Sequence, residues 1–129
     1  MQILQPPGWA RPRGYANGLV AHGRLVFVAG QIGWDKHQQF SSDDFVAQAR
    51  QALCNILEIL AETGGQPQHI ARMVWYVTDK QEYLTSSREL GLVYRDLMGQ
   101  HYPVMTAVEV SALMEDRAKV EIEAIAVIP

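Results

Sequence analysis

Residues 119–127, KVEIEAIAV, alternate between apolar and charged side chains over their first six positions. Successive side chains of an extended strand point to opposite faces. Val120, Ile122, Ala124 and Ala126 therefore share an apolar face, with Lys119, Glu121 and Glu123 on the other. Such a strand lines a core on one side only. Residues 104–110, VMTAVEV, supply a second strand, with Val104, Thr106, Val108 and Val110 on one face and Met105, Ala107 and Glu109 on the other. The β-branched set suits the layer beneath helices. This choice sends Glu109, Glu121 and Glu123 to an uncovered face, together with Met105, Ile125 and Val127.

Working outward, residues 41–65, SSDDFVAQARQALCNILEILAETGG, carry the clearest helical signal. Phe45, Ala49, Leu53, Ile56 and Leu60 recur at helical spacing. Ser41 and Asp44 have the form of a capping box, and Gly64 and Gly65 stop the helix. Residues 70–79, IARMVWYVTD, form a strand. Asp79 and Glu82 then offer a second capping box, and Tyr83, Leu90, Tyr94 and Leu97 form a stripe with Ser87 in step, closed by Gly99. Residues 19–30, LVAHGRLVFVAG, give two short strands hinged at Gly23, a hairpin signal. The first 18 residues, rich in Pro and Gly, are expected to run irregularly. The order ββαβαββ implies an α+β fold of two layers in one domain, residues 1–129, with two helices on one face of a mixed sheet.

With 129 residues, 48% hydrophobic and 19% charged, the chain has globular composition. A net charge of -3 with 11 scattered basic residues makes nucleic acid an unlikely partner. There is no apolar run long enough for a membrane span, and no signal-peptide pattern at the start. The lone Cys54 excludes an internal disulfide, which together fits a reducing cytoplasm. Cys54 sits mid-helix beside the apolar stripe, as an inert thiol would. His22, His37, His69 and His101 are dispersed without metal-ligand spacing, so no metal site is expected. Trp75 reads as core, whereas Trp9 and Trp34 lie in loops that can cover a cleft. An open sheet face both apolar and acidic calls for coverage by further copies of the chain. A carboxylate desolvated in the resulting cleft would act as a general acid or base near neutral pH.

Several stretches, RGYANG (13–18), LVFVAGQIG (25–33), QALCNILEILAETGG (51–65), YVTDKQEY (76–83), TAVEV (106–110) and above all VEIEAIAV (120–127), resemble the reactive intermediate deaminase family, RidA/YjgF. The resemblance runs from about residue 13 to residue 128. It implies a chorismate-mutase-like fold assembled as a homotrimer with clefts between subunits, and hydrolysis of 2-imino or enamino acids to 2-keto acids and ammonia without metal or organic cofactor. The small-molecule ligand would meet Tyr15 at the cleft wall and Glu121 beside the attacking water. Ala29 stands where relatives carry a small hydroxylated residue, and Ser87 falls near an asparagine of some relatives.

The family's carboxylate-gripping arginine corresponds to Met105, two residues after Pro103. A guanidinium makes two parallel charge-assisted hydrogen bonds to a carboxylate, and a thioether makes none. At roughly 1.5–3 kcal/mol each, their loss is equivalent to about two to four orders of magnitude in catalytic efficiency. Arg13, two residues from Tyr15, is the candidate substitute. Without a substitute, a cleft lined by Met105, Tyr15, Ala29 and Trp34 would prefer a neutral or aromatic ligand. Three functions remain open: an imine or enamine deaminase of a subgroup lacking the arginine, a non-catalytic binding or regulatory trimer using the same clefts, and the ribonuclease or translation-inhibitor activity with which some relatives are labelled.

Overall fold

The computed structural model describes all residues, Met1–Pro129. Its strands are β1 (Gln2–Leu4), β2 (Gly18–Val20), β3 (Arg24–Ile32), β4 (Ile70–Val77), β5 (Val104–Glu109) and β6 (Val120–Ile128). Its helices are α1 (Phe45–Ala61), α2 (Lys80–Thr85) and α3 (Ser87–Met98), with a 3-10 turn at Pro67–His69. No helix is long and apolar enough to cross a membrane.

The main sheet has the order β3-β6-β4-β5. β6 is antiparallel to both β3 and β4, and β5 pairs parallel with β4. The core lies between this sheet and the helices. Val120, Ile122, Ala124 and Ala126 are all at most 3% exposed and join Phe45, Ala49, Leu53, Ile56 and Leu60 of α1 in one cluster. Both apolar faces drawn from the alternation and from the helical spacing are therefore the interior faces. The arrangement is the α+β, mixed-sheet architecture expected.

Several local expectations need correction. The two strands at residues 19–30 do not form a hairpin: β2 pairs with β1 in a separate two-stranded ribbon, and β3 pairs with β6. Gly23, at φ +148°, passes so close to the end of β6 that a Cβ would sit 2.1 Å from the Ile128 carbonyl oxygen. The glycine serves this close passage and the departure of β3 into another sheet. The opening segment is also not wholly irregular, because β1 lies within it. Asp44, not Ser41, caps α1, accepting from the Ala47 N–H at 2.9 Å. The second helix divides at Ser86 into α2 and α3, each a separate run of turns. Asp79 caps α2 by accepting from the N–H groups of Gln81 and Glu82.

The most consequential correction concerns β5. Met105 lies opposite Met73 and Ala107 opposite Trp75, and both partners belong to the core. Met105 and Ala107 thus face the helices, while Val104, Thr106 and Val108 share the open side with Arg72, Val74 and Tyr76. Both faces of this edge strand are apolar enough to enter a core, so alternation alone did not choose between them. Glu109 follows Met105 to the helix side and accepts the Lys80 N–H at 2.7 Å, at the first turn of α2.

A buried glutamine ties α1 to β6. Gln48 is 1% exposed; its Nε2 donates to the carbonyls of Ser42 and Arg117, and its Oε1 accepts from the Lys119 N–H at 2.8 Å. Gln48→Leu leaves these backbone groups unpaired, and we expect a loss of about 2–4 kcal/mol of unfolding free energy in urea titration. A change within experimental error would mean that Gln48 is not the tie between helix and strand. Tyr94 is also buried, donates its hydroxyl to the His101 carbonyl at 3.0 Å and stacks on Tyr102. Burial, helped by Tyr102, pushes its pKa well above the ordinary 10.0. The neutral phenol is the form the fold favours, so its contribution is present below about pH 10 and is lost as pH rises toward the folded value. Tyr94→Phe should flatten the fall of stability above about pH 10, measured as urea midpoints at neutral and alkaline pH.

Candidate active site

The edge position of β5 leaves its helix-facing side only partly covered. Between β5, the C-terminal half of β4, α2 and α3 lies a cleft of about 530 Å³. Met105, Ala107 and Trp75 contribute from the sheet, and Tyr83 and Leu90 from the helices. Ser87, Gly91 and Arg95 recur every four residues, so one stripe of α3 forms a wall. At Gly91 an added Cβ would meet no atom within 4 Å, so the cleft widens where this side chain is missing.

The remaining wall is the strap carrying Arg13, Gly14 and Tyr15. Its anchor is the next residue: Ala16 donates its N–H to the Pro103 carbonyl at 3.0 Å and bridges to Val104 in parallel fashion. This short extension of the sheet edge brings Tyr15 to the mouth of the cleft, where its side chain remains 41% exposed. Tyr15 and Tyr102 also border a second hollow of about 840 Å³ beneath the N-terminal ribbon. Tyr83 is half-buried in the cleft, and desolvation raises its pKa. Trp75 is 4% exposed, and its indole N–H has no hydrogen-bond acceptor.

Glu121 lies on the other side of the sheet. It alternates with the buried Val120 and Ile122, faces Tyr76 across the β4–β6 ladder, and passes over Gly30. A Cβ at Gly30 would come 2.3 Å from the Glu121 carboxylate, so a glycine is required beneath it. Exposed Ala29 is adjacent, within the irregular step of the β3–β6 register. The Tyr76 hydroxyl donates to Glu123 on the same face, and this hydrogen bond is the main cause of its raised pKa. Around these polar groups lie Leu25, Phe27 and Val108, exposed by 61%, 71% and 41%.

Of the residues singled out in the sequence, Tyr15, Arg13, Ser87 and Met105 converge on one cleft. Glu121 and Ala29 sit together on the opposite face, and within one chain the two groups do not meet. Trp34 belongs to neither. It pairs with Phe40 across a tight turn, rings 5.9 Å apart, and Asn55 holds its carbonyl at 2.8 Å. In that turn Asp35 accepts from the N–H groups of Gln39 and His37, which holds its carboxyl below the usual range. Arg95, Gly91 and the rings of Tyr83 and Tyr94 were not identified as cleft residues in the sequence. The repeat Ser87–Gly91–Arg95, with a glycine inside a helix, was the available signal. Cys54 is a half-buried free thiol on α1, and no three His, Cys, Asp or Glu side chains converge as metal ligands.

The chain as a whole is similar to known proteins. The family model described as Endoribonuclease L-PSP matches residues 10–128. A 2-iminobutanoate/2-iminopropanoate deaminase of Salmonella typhimurium is 33% identical over 108 residues, which cover 81% of this chain and 80% of that one. Among solved structures, Escherichia coli TdcF with bound serine superposes with a TM-score of 0.70 at 32% identity over 100% of both chains. YyfB of Yersinia pestis, a Rid-family protein of unknown function, gives a TM-score of 0.84 at 25% identity over 98% of both. With the fold shared end to end and a named deaminase one third identical across most of its length, this protein belongs to the RidA/YjgF family.

Proposed function

We propose that this protein is a cofactor-independent hydrolase of small imines or enamines, working as a homotrimer. Each active site would join the Met105 cleft of one subunit to the Glu121 face of the next. The observation carrying this reading is the separation of the site residues: Tyr15, Ser87 and Met105 line the helix side of the sheet, whereas Glu121 lies on the open side. A second copy brings the two sets together and also covers Leu25, Phe27 and Val108, whose exposure is costly in a lone subunit. Relatives named as deaminases and TdcF, solved with serine bound, support a small nitrogen compound as ligand.

In the reaction, Glu121 accepts a proton from water as the oxygen adds to the C=N carbon and passes it to the nitrogen, giving the carbinolamine. The same carboxylate then takes the carbinolamine hydroxyl proton and delivers it to the amino nitrogen. The C=O bond forms as the C–N bond breaks, and ammonia departs. The overall change is R–C(=NH)–R′ + H2O to R–CO–R′ + NH3, with no change of oxidation state. The Tyr15 hydroxyl lies at the cleft mouth, where it can hydrogen-bond the imine or the carbinolamine.

Three results are expected. Light scattering gives three times the subunit mass. Glu121→Gln lowers kcat for imine hydrolysis by about 100-fold or more, the usual effect of losing a general base, while the trimer persists. Met105→Arg raises turnover of 2-iminopropanoate, generated in situ by an amino-acid oxidase, by at least about tenfold. A monomer in solution would refute the composite site. Wild-type protein that hydrolyses no imine, with Met105→Arg equally inert, would leave a binding protein in place of an enzyme.

A further inference from the structure

We infer that Arg13 and Arg95 together hold the anionic group of the ligand in place of the family's arginine, and that the substrate is a 2-imino acid with a bulky, preferably aromatic side chain. This rests on the hydrolase reading above and specifies the ligand of the same cleft. The two guanidiniums come from different elements, the N-terminal strap and α3, yet line one cleft of about 530 Å³. The ion pairs of the structure are Arg50–Asp96, Arg117–Asp43 and Lys119–Glu82, so neither Arg13 nor Arg95 has a carboxylate partner. No Asp or Glu appears among the cleft's lining residues. Two unpaired like charges at one cavity repel, and a bound carboxylate removes that repulsion while accepting charge-assisted hydrogen bonds from both.

The rest of the cleft specifies what accompanies the carboxylate. Met105 occupies the floor that a guanidinium would otherwise fill with charge, and a thioether packs well against an aromatic ring. Trp75, Tyr83, Tyr94, Tyr102 and Leu90 line the same cleft. The missing side chain at Gly91 keeps that space open. A volume of about 530 Å³ is within the range that encloses drug-sized ligands. It far exceeds what a three-carbon imino acid fills. Moving the cations from the floor to the strap and helix shifts the carboxylate outward and leaves the aromatic interior to the substrate side chain.

The test separates binding from turnover. On the assembled full-length protein, calorimetry compares 3-phenylpropionate with the neutral 3-phenylpropionamide. The acid should bind at least tenfold more tightly, and Arg13→Gln and Arg95→Gln should each weaken the acid at least tenfold while leaving the amide unchanged. Gly91→Leu, which grows into open space, should remove both. Equal binding of acid and amide by wild type, retention of the preference in both variants, or binding of neither probe would overturn the cation grip. In the coupled oxidase assay, kcat/KM for the phenylalanine-derived imine should exceed that for the alanine-derived imine at least tenfold, with the arginine variants raising KM more than they lower kcat. The opposite order would overturn the substrate class. If the probes bind as expected but no imine is hydrolysed, the cation grip stands and the hydrolase reading falls.

Discussion

Everything in this fold depends on β6 occupying the middle of the sheet with an antiparallel neighbour on each side. The last strand of the chain thus joins β3 to β4. Its Val120, Ile122, Ala124, Ala126 and Ile128 share one face and join the α1 stripe in a single core cluster. Period-two geometry then leaves no freedom for Glu121 and Glu123, since a slip of one residue would bury carboxylates and expose the core set. The carboxylate proposed for catalysis is therefore placed by the same constraint that closes the core. Gly30 completes the arrangement by leaving room over the neighbouring strand.

The parts of the fold legible in the sequence were those where one choice of face was energetically isolated. In α1 every fourth or third residue is apolar, and the large apolar side chains concentrate on one stripe while Arg50, Gln51 and Glu58 fall away from it, which sets the buried side. In β6 the alternative face carries two glutamates. β5 offered no such contrast: Val104 and Val108 were as suitable for burial as Met105 and Ala107. Its true orientation follows from pairing with Met73 and Trp75 of β4, a tertiary fact. The false hairpin at residues 19–30 failed for a related reason. Gly23 does turn the chain, but the competing partner for β3 is β6, nearly a hundred residues later, which local turn chemistry does not reveal.

Part of the candidate cleft was legible too. Tyr15, Ser87 and Met105 are far apart in sequence and do share a cleft, and the substitution at position 105 is plain from the residues themselves. The correction to β5 changes its meaning. On the open face, Met105 would have lined a cleft together with Glu121 and Ala29; on the helix side it floors an aromatic cleft that Arg13 and Arg95 also line. Arg95 escaped notice because arginine on a surface helix is ordinarily a solvated residue. Only the packing of α3 over β5, with Gly91 leaving a gap, converts that position into a wall. Trp34 was a reasonable cleft candidate from its Gly-rich surroundings, yet its ring is committed to Phe40.

Local rules of stability are broken three times around this one cleft. A glycine interrupts the middle of α3, where alanine would favour the helix by about 1 kcal/mol. The indole N–H of Trp75 is buried without an acceptor, a cost of roughly 1–3 kcal/mol. Two guanidiniums stand without counter-charges. The rest of the chain shows the contrary habit: buried Gln48 satisfies both ends of its amide, Asp44 and Asp79 cap their helices, and Tyr94 finds the His101 carbonyl. The Trp75 indole is the exception in a protein that otherwise satisfies its buried side-chain polar groups, and such an exception at a concave surface is consistent with the binding role proposed for the cleft. The same cleft lacks a carboxylate of its own, so under the proposed hydrolysis it would need the Glu121 face of another copy for acid–base chemistry, and assembly and catalysis would become a single requirement of this sheet.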